Sequence, residues 1–243
     1  MDLAELTALT EDQAREYIEK IRWPHGPVCP HCGGTKVGGI APNKDKKVRA
    51  GLYTCLSCMK QFTVTVDTVM HDSHIPLRLW LMGFHLITFS KKGVSALQLQ
   101  RNLGLGSYKS AWHLAHRIRY AMSEGTLCPP LKGIAEVDET HIGGKPCKGA
   151  IRANVHSKSR IMTDEFAAYG KIGTCFKSHE GVKQSEGGYS RGDVTTNTIE
   201  SYFVLLKRGV HGIFHHVSKD HLHRYLDEFS SRWTPELMTA NVP

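Results

Sequence analysis

The amino-acid sequence predicts a mixed α/β protein made of a small cysteine-rich module, a helical block and a C-terminal domain of strands and helices. Three observations support this. Two CxxC pairs occupy 29–32 and 55–58, apolar residues recur at three- and four-residue steps from 76 to 122, and 134–138 alternates like a strand before further strand and helix signals. The 243 residues suit one large domain or two to three small ones.

The composition is that of a globular protein with a polyanionic partner. Hydrophobic residues make up 40% and charged residues 22%, which excludes disordered and fibrous classes. The net charge of +8 favours nucleic acid as the partner. The sequence has no run of 18 apolar residues and no basic region before an apolar core at its start, so we expect neither a membrane span nor a secretory signal. We therefore expect a cytoplasmic protein whose cysteines are reduced thiols or metal ligands.

The N-terminal part, residues 1–24, is predicted to be helical. Thr10 can cap a helix, and Gln13 three residues later completes a capping box. Pro24 then ends the helix, because proline cannot continue it. The next 46 residues, 25–70, are rich in glycine and cysteine and favour short strands.

The two cysteine pairs of this module predict a zinc ribbon. Two thiolates spaced by two residues on a tight turn can reach one tetrahedral Zn²⁺, and a second pair closes the site. Unrelated cysteines or a redox pair are the alternatives. We expect the module to fold around its metal, because it has few large apolar residues. The predicted zinc ligands are Cys29, Cys32, Cys55 and Cys58.

Residues 75–124 predict a helix-turn-helix unit. Ser95 and Ser107 can cap two helices on either side of the glycine-containing turn 103–106. Apolar residues of the second helix share one face, which suits a core. The opposite face is predicted to contact double-stranded DNA, as a recognition helix does, although a simply solvated face fits the same pattern. The residues on that face are Lys109, His113, His116 and Arg117.

Three carboxylates in the C-terminal domain predict a second metal centre. Asp138 and Asp164 each follow a strand-like run, and Glu200 lies in the first turns of a helix. Singly they suit a turn, a helix cap and a favourable helix charge. Together they can hold two Mg²⁺ ions for phosphodiester cleavage, since Mg²⁺ prefers oxygen ligands. Lys207, two helical turns after Glu200, is placed to grip a DNA phosphate.

Several runs of the sequence resemble one family, the insertion-sequence transposases that have an N-terminal zinc ribbon and an ISXO2-like catalytic domain with a DDE ligand set. These runs extend over nearly the whole chain and include 29–58, 137–145, 162–165, 189–192, 197–208 and 215–226. The resemblance implies a ribonuclease-H-like domain at 132–235 that needs Mg²⁺ or Mn²⁺. It also implies strand cleavage and transfer at terminal inverted repeats, a homo-oligomer on DNA and a bacterial, nucleoid-associated location.

The resemblance also assigns residues. Asp138, Asp164 and Glu200 match the metal ligands, with Asn197 as the alternative to Glu200, and Lys207 matches the trailing basic residue. Two further DNA contacts are expected at Arg191 and Arg208. Five histidines between 211 and 223 suit packing and phosphate contacts, with a further metal site as the alternative.

The spacing of the first two carboxylates departs from the family pattern. Only 25 residues separate Asp138 from Asp164, whereas a single βαβ unit already takes roughly 30. Strands and a helix of the family pattern are therefore missing, and we expect the deletion to lie between about Lys145 and Ile151. We predict an internally shortened transposase with little or no activity. The alternative is a non-catalytic zinc-ribbon and helix-turn-helix protein that binds DNA.

Overall fold

The computed structural model describes residues 2–43, 45, 48–123, 134–137, 155–164, 175–182, 190–191 and 194–233. The helices in chain order are α1 (Leu3–Ala8), α2 (Glu11–Arg22), α3 (Leu77–Phe89), α4 (Ala96–Leu103), α5 (Tyr108–Met122), α6 (Asn197–Gly209) and α7 (Leu222–Trp233). The strands are β1 (Val37–Ile40), β2 (Leu52–Cys55), β3 (Gln61–Phe62), β4 (Ile134–Val137), β5 (Arg160–Thr163), β6 (Ser178–Gly181), β7 (Ser190–Arg191) and β8 (Val194–Thr195). The mixed α/β class predicted from the sequence is confirmed.

The chain forms two compact units. The first runs from the N-terminus to Ser123 and also takes in the chain from Asp227 onward, which includes most of α7. The second runs from Glu124 to Leu226. In the part of the chain that the structure describes, no helix is both long enough and apolar enough to cross a membrane.

The N-terminal helices are defined by their caps. Thr10 and Gln13 form the predicted capping box at α2, with the Gln13 N–H donating to Thr10 Oγ1 at 3.3 Å and the Thr10 N–H to Gln13 Oε1 at 2.8 Å. The separate helix α1 has its own capping box between Asp2 and Glu5 and was not foreseen from the sequence. Glu11 then accepts hydrogen bonds from the Leu77 N–H at 2.6 Å and the Arg78 N–H at 3.3 Å, which joins α2 to the start of α3.

The cysteine-rich module is an antiparallel sheet in the order β1–β2–β3. Val37 pairs with Cys55 and Tyr53 with Phe62, so the second strand holds the sheet together. Its core joins the cysteines to α2: Ile18, Trp23, Cys29, Cys55, Phe62 and Val64 are buried together. Partly buried Met70, Leu77 and Leu81 pack on that cluster, and Met70 also packs on the core of the helical block. The ribbon and the helices therefore share a continuous apolar interior.

The helical block has the predicted caps and turn. Ser95 accepts from the Gln98 N–H and Ser107 from the Lys109 N–H, each at 3.2 Å, and Gly104 ends α4 with a φ of +63°. A methyl group on Gly83 of α3 would lie 3.2 Å from Ile118 and 3.3 Å from Leu114 of α5. A larger residue at this position would push the Ile118 and Leu114 side chains aside by a few tenths of an ångström, so the glycine lets the two helices approach closely.

A buried charged cluster attaches the C-terminal helix to this block. Glu228, fully buried, is hydrogen-bonded to both Arg119 and Arg232. Arg119 also donates to the Val94 carbonyl at 3.4 Å and Arg232 to the Ile87 carbonyl at 3.0 Å. The three side chains depend on one another, because a buried charge that loses its partners lowers the free energy of unfolding.

The second unit contains a three-stranded parallel sheet in the order β4–β5–β6. The predicted strands at 134–137 and 160–163 are both present, whereas β6 was not foreseen. The glycine-containing run 187–193 predicts a loop, whereas β7 and β8 pair as an antiparallel hairpin in that region. Ser218 is a candidate cap for the last helix by its residue type, yet α7 begins at Leu222, because the His221 N–H first donates to the Ser218 carbonyl in a turn.

Candidate metal centres and nucleic-acid interface

The four predicted zinc cysteines come together. The ligand sulfur atoms of Cys29, Cys32, Cys55 and Cys58 all lie within 4.8 Å of one another. The Sγ atoms are 3.7 Å apart for Cys29 and Cys58, and 3.6 Å apart for Cys32 and Cys55. These separations suit four thiolates at ~2.3 Å from a shared tetrahedral ion. The chemistry of the donor set therefore fits structural zinc.

Tight turns present these sulfur atoms on both sides of the site. After Cys29, the Gly33 N–H donates to the Cys29 carbonyl at 2.8 Å, and Gly33 has a φ of +72°. After Cys55, the Met59 N–H donates to the Cys55 carbonyl at 2.9 Å, and Met59 has a φ of +58°. The two turns follow the same pattern, in which a left-handed residue closes each CxxC pair.

The same turns set the acidity of two thiols. The pKa of Cys55 falls to about 6, mainly because the backbone N–H of Cys58 donates to its sulfur; burial opposes this effect and the Ser57 N–H reinforces it. The pKa of Cys32 rises to about 12, because the neighbouring cysteine sulfurs outweigh the lowering effect of the Gly34 N–H. Deprotonating one thiol thus makes the next harder to ionise, and a bound cation removes this opposition.

Helix α5 presents part of the predicted DNA-binding face to solvent. Lys109, His113 and Arg117 are exposed. The Arg117 Nη1 donates to the carbonyls of Val69 at 3.3 Å and His71 at 2.7 Å. This arginine therefore also holds the segment between the ribbon and the helical block.

His116 does not lie on that exposed face. Its side chain is only 2% exposed and packs on the Trp112 ring with 4.0 Å between ring centroids. The buried side of α5 is wider than its apolar pattern indicates, because Arg119 on that side contacts Glu228 from the distant C-terminal helix. The prediction of His116 as a DNA contact is therefore corrected.

One sequence signal for this unit was missed. The segment from Ser73 to Ser123 contains seven lysines and arginines and not a single aspartate or glutamate. The acidic partner of Arg119 comes from far along the chain, at Glu228. A block without acidic residues has a positive potential that favours phosphates. Counting charges by segment would have found it.

In the second unit, the two strands that precede Asp138 and Asp164 in the sequence are neighbours. Strands β4 and β5 are adjacent and parallel, and Val137 is paired with Thr163. Asp164, directly after Thr163, is half-buried. Asp138 follows Val137 in the sequence and lies outside the described residues. Carboxyl ends of parallel strands meet at the same edge of a sheet, where ligands of α/β proteins bind.

Glu200, the third predicted carboxylate, is held at the start of α6. Its Oε1 accepts a hydrogen bond of 2.7 Å from the buried hydroxyl of Thr196. Glu136 of β4 accepts hydrogen bonds of 3.0 Å from the N–H groups of both Thr198 and Ile199. A carboxylate at a helix N-terminus satisfies unpaired N–H groups and the helix dipole. Glu136 therefore ties the helix that carries Glu200 to strand β4.

The sequence motifs do not point to Glu136. It is the one acidic residue of strand β4, whose other members are Ile134, Ala135 and Val137. An acidic residue within an otherwise apolar strand was the available signal.

The remaining predicted residues lie along or near α6. Asn197, Glu200 and Arg208 line an open groove of about 450 Å³ together with Ser201 and Val204. Lys207 is exposed on the same helix. The backbone of Arg191 pairs with Val194 in the β7–β8 hairpin, and its side chain lies outside the described features. The basic loop residues Lys44, Lys46 and Lys47 also lie outside the described residues.

Comparison with known families decides the identity. Residues 9–61 match a transposase zinc-ribbon domain, and residues 147–234 match an ISXO2-like transposase domain. Together the two matches cover more than half of the chain. The chain belongs to the insertion-sequence transposases with a zinc ribbon. The catalytic-domain match begins after Asp138.

A relative of this transposase supports the assignment. The chain is 26% identical over 286 residues to a protein of Halobacterium salinarum described as an uncharacterized protein in transposable element ISH50, with 93% of this chain and 92% of the relative covered. The aligned region is longer than the 243-residue chain, so the relative has residues inside the match that this transposase lacks. No solved structure matches the chain.

Proposed function

We propose that this transposase binds duplex DNA at the terminal inverted repeats of its insertion sequence, and that its shortened catalytic domain cleaves those ends weakly or not at all. In this proposal the first unit binds the DNA, and the second unit holds a carboxylate metal site that supports little or no cleavage. The same proposal keeps a homo-oligomer on DNA and a cytoplasmic, nucleoid-associated location, both of which rest on the family.

The charge distribution of the helical block carries the DNA-binding half of the proposal. Seven cations and no carboxylate occur between Ser73 and Ser123, while Lys109 and His113 are exposed on α5. Phosphate contacts give most of the affinity for duplex DNA, and exposed side chains on a recognition helix add base contacts. The inverted repeat is the expected target because the family acts on element ends.

The register of β4 and β5 supports the metal-site half. Val137 pairs with Thr163 in a parallel arrangement, so β4 and β5 end side by side, and Asp138 and Asp164 are the next residues in the sequence. Glu136 anchors the N-terminus of α6, and so Glu200, to the first of these strands. When bound, two Mg²⁺ or Mn²⁺ ions would activate the attacking oxygen and stabilise the leaving oxygen. Lys207 and Arg208 add positive charge along the same helix.

The shortening explains why we expect weak cleavage. The sheet of the second unit has three strands among the described residues, and the relative has extra residues inside the matched region. Fewer strands bury less apolar surface, so the carboxylates are held less rigidly. Two-metal cleavage depends on precise placement of the attacking and leaving oxygens, and small displacements of ligands lower the rate strongly.

A paired binding and nicking assay tests the proposal. The substrate is a supercoiled plasmid that carries both ends of the element, incubated with Mg²⁺ or Mn²⁺, beside a plasmid without the ends. We expect preferential binding to the ends and nicking near background. Robust nicking that Asp138→Ala abolishes would contradict the weak-cleavage half, and equal affinity for both plasmids would contradict the inverted-repeat half.

A non-catalytic DNA-binding protein is the second candidate function. The first unit shares one continuous core between ribbon and helices, so it can bind DNA without help from the second. Two carboxylate variants, Asp164→Asn and Glu200→Gln, distinguish the candidates. If they leave both Mn²⁺ binding and DNA behaviour unchanged, the metal site has no role and the non-catalytic function holds.

A further inference from the structure

An exposed aromatic ring beside two lysines forms a surface that neither the zinc site nor helix α5 uses. Phe89, the last residue of α3, is 70% exposed, although phenylalanine is usually buried. The two residues after Ser90 are Lys91 and Lys92, and both are exposed. We call Phe89, His85, Lys91 and Lys92 the Phe89 platform.

Neighbouring residues hold the Phe89 ring and the loop after it in position. The ring of His85, one helical turn before Phe89, stacks on it with 4.5 Å between centroids and 29° between planes. One face of the phenyl ring is thus supported while most of the residue remains exposed to solvent. The loop that follows is closed by the Ser90 hydroxyl, which donates to the Gly93 carbonyl at 2.8 Å. This bond keeps the two lysines next to the ring.

The charged side chains of the chain segment that forms the platform have one sign. Neither Lys91 nor Lys92 forms an ion pair with another residue in the described part of the chain, and the segment 73–123 has no acidic residue at all. Two adjacent lysines beside an exposed ring favour a nucleic-acid strand as the partner over an apolar protein surface, because the strand carries phosphates. Phosphates contact lysines, and a base can stack on an aromatic ring.

We propose that the Phe89 platform binds an unpaired base of single-stranded DNA, with Lys91 and Lys92 contacting the flanking phosphates. The open face of Phe89 takes the base, and the stacked His85 holds the ring in position. Stacking is tolerant of sequence because every base has an aromatic face. The site therefore adds single-strand binding to the duplex binding proposed above, and it does not depend on cleavage.

The test compares single-strand affinity among full-length variants. Fluorescence anisotropy with a labelled 12-nucleotide strand is measured for the wild type, Phe89→Ala and Phe89→Trp, and a strand with a central 2-aminopurine reports stacking through quenching. We expect Phe89→Ala to weaken binding by about tenfold and to abolish the quenching, as loss of one stacked base does. Phe89→Trp should keep both signals.

A control at another exposed apolar side chain isolates the ring. Leu3 of α1 is 37% exposed in the same unit, so Leu3→Ala removes exposed apolar surface without an aromatic face. It should leave single-strand affinity unchanged. Replacing both lysines by glutamine should reduce the slope of log affinity against log salt by about 1.4, at ~0.7 per single-strand phosphate.

Several outcomes would overturn the platform. They are no single-strand binding by the wild type, no effect of Phe89→Ala, or an equal loss with Leu3→Ala. A change of oligomeric state in Phe89→Ala at unchanged single-strand affinity would instead make the surface a protein interface. A duplex containing the element ends is titrated in parallel. Failure of that arm alone refutes the proposed function and leaves the platform standing.

Discussion

The two units of this transposase differ in the buried apolar clusters that their described residues form. In the first unit, eight buried residues around Trp80 form one cluster and six around the cysteines form another, joined through Met70. In the second unit, the cluster found among the described residues consists of Met162 and Val182. The first unit has four converging thiolates that fit a structural metal, whereas in the second unit Asp164 directly follows strand β5 and Glu200 lies in α6.

This difference teaches where a shortened chain loses function first. A unit whose helices, ribbon and metal share one interior is stable as a whole, and its binding face remains in place. The three-stranded parallel sheet of the second unit contributes a small apolar cluster among the described residues, and parallel sheets normally need cover on both faces. DNA binding is therefore expected to outlast catalysis in this transposase.

The largest effect is expected from losing the zinc. Cys29→Ser should remove the ion and unfold the ribbon together with α2 and the start of α3, because Cys29 lies in their shared core. Structural zinc contributes about 10–16 kcal/mol in ribbon-like peptides, comparable with the whole stability of a domain. Atomic absorption should find one zinc per wild-type chain and none in the variant. Circular dichroism should show lost helix.

Cys175→Ser is the matched control, because Cys175 is an exposed cysteine of the other unit. It should keep the zinc and the helical signal. If Cys29→Ser loses the metal but retains the full helical signal and melting temperature, the ribbon and the helical block are energetically independent, and the comparison between the units is wrong.

The second effect tests how the C-terminal helix belongs to the first unit. Glu228→Gln leaves Arg119 and Arg232 buried without their carboxylate, so we expect a loss of about 3–5 kcal/mol of unfolding free energy. Urea denaturation followed by tryptophan fluorescence measures it. Glu16→Gln, at an exposed residue of α2, should change stability by less than about 0.5 kcal/mol. Similar losses of unfolding free energy in the two variants would mean that the cluster of Glu228, Arg119 and Arg232 does not stabilise the first unit.

The third effect concerns the placement of Glu200. Glu136→Ala removes the acceptor for two N–H groups of α6, and we expect a loss of about 1–2 kcal/mol in the second unit. If Glu136 positions the metal site, Mn²⁺ affinity measured by electron paramagnetic resonance should also fall several-fold. Glu136→Gln keeps an acceptor oxygen and should restore much of both. Unchanged Mn²⁺ affinity in the alanine variant would limit Glu136 to capping the helix.

The smallest effect is expected at one phosphate contact. Lys109→Gln should weaken binding to the element ends a few-fold and lower the salt slope by about 0.9. Fluorescence anisotropy at several salt concentrations measures both quantities. Lys20→Gln, an exposed lysine of α2, serves as the comparison and should leave the slope unchanged. An equal change in the two variants would mean that α5 does not approach the DNA more closely than α2 does.

Local rules predicted much of the fold because their causes are local. A serine or threonine before a helix, a glycine after it, and paired cysteines on tight turns are interactions between residues three or four apart. Thus the predictions of caps at Thr10, Ser95 and Ser107 and of the four-cysteine cluster are confirmed. The β7–β8 hairpin was missed because the glycines of 187–193 favour a loop as much as a turn between strands, and the start of the last helix was misplaced because a turn follows Ser218.

The sequence by itself determined the zinc ligands, the helices and the strands that precede Asp138 and Asp164, since spacing and periodicity express backbone geometry. Only the tertiary structure decided that His116 is buried, that Glu228 completes the core of the first unit and that Glu136 anchors the helix of Glu200. Each of these depends on a contact between residues at least 60 positions apart or on a face covered by such a residue. No local pattern encodes which distant segment will supply the covering charge.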